Sequence, residues 1–122
     1  MADAWHHAVS SARKFGGTPD DYYDIHRWFD ATKQHLGNFR HRALRHHTQG
    51  IVEAESVFGP VIVLSNDKDK TIPLRLVAEQ HIKEDCGFLP TIQDWLGDLP
   101  FKDWMLYARP IEKTETKEAP NE

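Results

Sequence analysis

The sequence predicts an α+β fold that is mainly helical, with about five helices packed with one β-hairpin. Three observations carry that expectation. Apolar residues recur at helical spacing from residue 4 to residue 58. Two β-rich runs, VIVL (61–64) and TIPLRLV (71–77), flank the polar, turn-prone SNDKDK. Beyond them, AEQHIKEDCG and a capped IQDWLGD return to helical character.

The first helix is expected over residues 4–15. Trp5, Ala8, Val9, Ala12 and Phe15 form its apolar stripe, and Gly16 and Gly17 end it. The second opens at Thr18, with Pro19 suited to the first helical position and Asp20 and Asp21 suited to the positive end of the dipole. Its stripe is Tyr22, Ile25, Phe29 and Leu36, and Gly37 stops it. Asn38 then caps a third helix running to about Phe58, with Phe39, Ala43, Leu44, Ile51, Ala54 and Phe58 inward. Gly50 inside it costs up to about 1 kcal/mol against Ala, which points to a close contact there. Gly59 and Pro60 break the pattern, and the hairpin spans 61–77, with Pro73 placing one strand at an edge. The fourth helix closes at Gly87, and Thr91 with Asp94 makes a capping box for the fifth. Trp104, Leu106 and Tyr107 supply a last packing segment. A single compact domain over residues 1–110 is expected, followed by a disordered charged tail over 111–122.

A length of 122 residues with 39% hydrophobic content supports one independent core. The single cysteine, Cys86, excludes an intramolecular disulfide and fits a reducing compartment. MADAWHHAVSS lacks the basic and apolar regions of a signal peptide, and no run approaches the ~18 apolar residues of a membrane span. A cytoplasmic protein of a bacterium, or of a phage or plasmid within one, is the resulting expectation. The net charge of −4 does not mark a nucleic-acid binder, although eight histidines, all protonated, would carry it to +4.

Those histidines are the main chemical signal. FRHRALRHH (39–47) concentrates three of them with three arginines. On a straight helix His41 and His47 stand about 240° apart, and His46 and His47 about 100°, so the three cannot share one ion. His47 falls at the centre of the apolar stripe, His26 on the flank of its own, and His81 on a face with Val77, Ile82 and Asp85. Three helices therefore each direct one histidine inward. Facing helices of a bundle build metal sites in this way. The ligand set expected is His26, His47 and His81 for Zn²⁺ or Fe²⁺, with Asp85 as fourth ligand or as the partner that orients His81. An inward histidine also serves simply as a core residue bonded to a carbonyl or carboxylate. If the ion keeps a water, metal-assisted hydrolysis of a phosphoester follows, with Glu84 or Asp85 as base. His6 and His7 are expected at the stripe's flank and in solvent.

Arg40, Arg42 and Arg45 form the other candidate surface, for phosphate or for a partner. On that alternative the chain is a non-enzymatic accessory protein that binds a host protein or nucleic acid. A third reading is a homodimer through exposed Trp28 and the hairpin edge. No GxSxG, HExxH, CxxC or Gly-rich phosphate loop is present.

HHAVSSARKFGG (6–17), IHRWFDATK (25–33), FRHRALRHH (39–47) and EQHIKEDCGFLPTIQDWL (79–96) together resemble a small, functionally uncharacterised family of bacteria and their phages. The resemblance spans roughly residues 5 to 107. It implies a shared compact fold, with no assigned activity and no catalytic residues to carry over.

Overall fold

The computed structural model describes residues 3–97, 99, 100 and 102–106. Among them are six α-helices and one two-stranded antiparallel hairpin, so the architecture is α+β and mainly helical. The helices are α1 (Ala4–Phe15), α2 (Tyr23–Asp30), α3 (Arg42–Arg45), α4 (Thr48–Phe58), α5 (Leu74–Cys86) and α6 (Ile92–Leu96). The strands are β1 (Val61–Leu64) and β2 (Asp67–Pro73). Among the described residues no helix is long and apolar enough to cross a membrane. The charged segment 111–122 and Tyr107 lie outside the described residues.

Three of the six helices, α1, α4 and α6, begin at a side chain that caps them. Asp3 accepts from the His6 amide at the start of α1. Thr91 and Asp94 close a reciprocal capping box on α6. Gly87, left-handed at φ +82°, ends α5. Gly17 is confined more tightly. At φ +77°, a side chain there would meet both Asp21 and Leu64. Asp21 in turn accepts from the Ser65 amide, which ties the hairpin turn to the α1–α2 connection.

α5 lies at the centre, packing on α1, α2 and α4. The core joins Ala8, Tyr22, Ile25, Phe29, Ile51, Ala54, Leu74, Val77, Ala78 and Ile82, with Ile62, Leu64 and Ile72 from the hairpin. Complete burial of Phe29 alone is worth about 2–3 kcal/mol of hydrophobic transfer.

Four details depart from the sequence expectation. First, the buried face of α1 is His7, Ala8 and Ser11, while Trp5 is turned out. Second, the third helix is not continuous. A 3₁₀ turn at Phe39–His41 and the one-turn α3 precede a break at His46 and His47, after which α4 starts afresh. Phe39 and Leu44 are consequently exposed. Third, β2 takes up Asp67–Lys70, expected as loop, while Leu74–Val77 of the expected strand begin α5. Ile62 pairs with Ile72 and Val63 with Thr71, and a bulge beyond Val63 lets Leu64 face Asp67. Fourth, the segment at Asp103–Met105 is not a packing element: Trp104 and Leu106 are both exposed.

Candidate metal centre

The chain folds six of its eight histidines out of solvent: His7, His26, His41, His46, His47 and His81. Four of these meet at one centre. α1 contributes His7 and Ser11, α2 contributes His26 and Asp30, and α5 contributes Gln80, His81, Glu84 and Asp85. On each helix the key pair is separated by four residues, which sets both side chains on one face. His46 enters from the break between α3 and α4.

That break decides which histidine reaches the centre. The backbone turns at His46 (φ −87°, ψ 64°) and runs extended at His47. Trp95 holds the turn by donating its indole N–H to the His46 carbonyl at 2.9 Å, and Thr48 N–H donates to Pro90 O at 3.0 Å. Gly50 is needed beneath it, because a Cβ there would overlap the Arg45 carbonyl oxygen. His47 becomes the N-cap of α4. Its Nδ1 accepts from Gly50 N–H at 3.1 Å and its Nε2 donates to Ala43 O at 3.1 Å. The structure thus does not bring His47 to His26, His81 and Asp85, and both of its nitrogens are already committed.

Four donor atoms converge instead from Asp30, His46, His81 and Asp85, all within 4.8 Å of one another. His81 Nε2 lies 3.3 Å from Asp30 Oδ1 and 3.2 Å from Asp85 Oδ2. His46 Nε2 lies 3.0 Å from Asp85 Oδ2 and 3.9 Å from Asp30 Oδ1. Ligands about 2.1 Å from a tetrahedral ion are separated by about 3.4 Å, close to these spacings. Such a buried group of histidines and carboxylates can hold a metal ion. The second carboxylate oxygen of Asp30 is buried without a partner.

Behind these four lies a layer whose protons can be assigned. Gln80 Nε2 donates to the His7 carbonyl at 3.1 Å, which turns Oε1 toward Ser11 Oγ. The 2.6 Å contact between those oxygens takes the single Ser11 proton. His26 Nε2, 2.7 Å from Ser11 Oγ, must then donate, and its Nδ1 carries a lone pair. His81 Nδ1 stands 2.9 Å from that lone pair and donates to it. A neutral His81 would accordingly present the lone pair of Nε2 to two carboxylates. That arrangement calls for a cation, either a proton or a metal.

His7, His26 and His81 also offer three donors within 4.8 Å. Their nitrogens are otherwise engaged, however. His7 Nδ1 is 2.7 Å from Glu84 Oε1 and Nε2 is 3.1 Å from Asp85 Oδ1. Burial opposes a charge on His7, but its hydrogen bonds to Asp85 and Glu84 outweigh it and raise its pKa. It therefore acts as a doubly donating ring that steadies two carboxylates. Burial pushes His26 down to about 2, reinforced by His81 and His7, and pushes His46 down to about 4 against the pull of Asp85. Burial likewise opposes ionisation of Asp85 and Asp30. Hydrogen bonds from His46, His7 and His81 nevertheless hold Asp85 far below the usual carboxylate range, and the bond from His81 lowers Asp30.

The remaining candidates lie around this centre. Glu84 is partly exposed and bonded to Ser10 and His7. Arg42 donates to the Asp85 carbonyl at 3.3 Å. Arg45 donates to the Trp28 carbonyl and lays its guanidinium 3.9 Å over the Trp28 ring, a contact worth about 0.5–1 kcal/mol. Of the three arginines only Arg40 is exposed. Trp28 is half-buried, with Arg45 over its ring and Phe29 and Phe58 meeting it edge to face. Burial raises the pKa of the Cys86 thiol, which disfavours the nucleophilic thiolate. His7, His46 and Asp30 were missed by sequence reasoning.

No curated protein and no solved structure matches the chain. A family model described as "Domain of unknown function (DUF6915)" matches residues 2–105, and the chain belongs to that family.

Proposed function

We propose that the chain is a divalent-metal-binding protein whose ion sits among Asp30 Oδ1, His46 Nε2, His81 Nε2 and Asp85 Oδ2. The observation that supports this most directly is the preset tautomer of His81. Its Nδ1 proton is used on His26, and its Nε2 points at two carboxylates. Two carboxylates balance a doubly charged ion, and a mixed nitrogen and oxygen set suits Zn²⁺ or Fe²⁺. The layer of Ser11, His26 and Gln80 is the kind of outer support that orients ligating imidazoles. An ion reached by water past Asp30 would need a fifth position, beyond the four side chains, to act as a Lewis acid; with it, metal-assisted hydrolysis of a phosphoester is the reaction class that fits. Glu84, partly exposed and bonded to His7, which also bonds Asp85, is the candidate base outside the ligand set.

The test is elemental analysis of untagged protein purified without added metal. About one equivalent of Zn or Fe per chain is expected. It should be lost in Asp85→Asn and in His46→Gln. It should persist in His47→Ala, which removes a buried ring, its helix cap and its bond to Ala43, a loss of about 1 kcal/mol or more in stability, but no ligand. The proposal fails if no metal is found and neither Zn²⁺ nor a chelator moves the melting temperature. It fails equally if His46→Gln, folded by circular dichroism, keeps the full equivalent.

A further inference from the structure

A cleft of about 490 Å³ opens beside α2, lined by Asp24, Arg27, Trp28, Asp30, Ala31 and Phe58. Its volume falls within the range of small-molecule sites. What distinguishes it is where it ends. Of the four converging residues, His46 and His81 have fully buried side chains and Asp85 is 3% exposed, whereas Asp30 is 11% exposed and lines the cleft. Solvent therefore reaches the centre along Asp30. The same residue carries the buried oxygen that has no partner.

The walls have a consistent chemistry. Trp28 and Phe58 meet edge to face with centroids 6.3 Å apart, giving an aromatic side. Arg27 lies 5.5 Å over the Tyr23 ring and makes a loose 3.7 Å pair with Asp24; with both charges largely exposed, its guanidinium can still reach an incoming anion. An ion at the centre would add positive charge at the inner end, next to Asp30.

We propose that this cleft binds a small oxyanion carrying an aromatic body, the oxyanion on the metal beside Asp30 and the ring against Trp28 and Phe58. This rests on the metal reading above and names the ligand class for the same site: aryl phosphates or phosphonates in preference to alkyl ones. Arg27 is a binding residue for the anion's second oxygen.

The experiment compares phenylphosphonate with methylphosphonate on the metal-loaded full chain. Calorimetry reads affinity, and the visible bands of Co²⁺-loaded protein read contact with the metal. Phenylphosphonate should bind at least about tenfold more tightly, as burial of a ring implies, and should perturb the Co²⁺ bands. Phe58→Leu should reduce that preference to about threefold or less with metal content unchanged. Arg27→Gln, at an exposed position, should weaken both phosphonates several-fold alike and leave the preference. A protein that binds one metal but neither phosphonate, or both equally, overturns the ligand assignment and leaves the metal reading standing. A protein that binds no metal overturns both.

Discussion

Acidifying metal-free protein from pH 7.5 to pH 5 should unfold it more readily, because burial lowers the pKa of three histidines, His26, His46 and His41. Burial holds His26 at about 2 and His46 at about 4. In the unfolded chain each titrates near 6.5. Between those values the unfolded state binds more protons than the folded one, so stability falls as pH falls. At pH 5 each ring costs about 2 kcal/mol relative to neutral pH. His7 works in the opposite sense. Its pKa is raised, so its contribution is fully present below 6.5 and is lost as pH rises through the folded value. Acidification therefore recovers part of the loss, leaving a net cost of about 2–4 kcal/mol. The lowered carboxylates Asp30 and Asp85 lose their contribution only below about 4, outside this window. For a chain of this length the net cost is a fall of about 8–16 °C in Tm. Circular-dichroism melts of chelator-treated protein at the two pH values measure it, and NMR titration of the imidazole protons assigns it. A Tm at pH 5 equal to or above that at pH 7.5 would refute the reasoning. So would a His26 or His46 resonance titrating near 6.5 in the folded protein.

Ser11→Ala removes the hydroxyl between Gln80 Oε1 and His26 Nε2. It should cost about 1–3 kcal/mol in denaturant melts and lower metal affinity about 10- to 100-fold in chelator competition; unchanged affinity would mean that the layer does not orient His81. Gly50→Ala drives a methyl into the Arg45 carbonyl and should cost about 1–3 kcal/mol or more. Gly37→Ala, where a Cβ meets nothing within 4 Å, is its control and should be near neutral. Equal melts for the two glycine variants would contradict the account of the turn.

Several helix boundaries were legible because they are written locally, in Gly16 and Gly17, Thr91 and Gly87. The inward face of α1 was not, because hydrophobic periodicity cannot register a face made of His7 and Ser11. Their burial is justified by partners on other helices, Glu84 and Asp85 for His7 and His26 and Gln80 for Ser11. The same limit hid His46. Nothing at positions 46 and 47 is a helix breaker by type, and the turn is held by Trp95, far along the chain. His26 and His81 were correctly placed inward, and both are buried. One usable signal was overlooked. His and Asp recur four residues apart on two helices, at His26 and Asp30 and again at His81 and Asp85, and only the second pair was read.

The turn at His46 joins two regions that share no ligand. Trp95 on α6 and Pro90 before it hold the backbone from which His46 projects into the centre. Whatever free energy an ion gains from having His46 already in place must reappear as tighter docking of the 90–95 segment when the ion is bound. On the proposed metal reading the segment and the ion would be reciprocal effectors: peeling the segment from the body would weaken the ion's hold, and saturation with metal would disfavour that peeling by the same equilibrium factor.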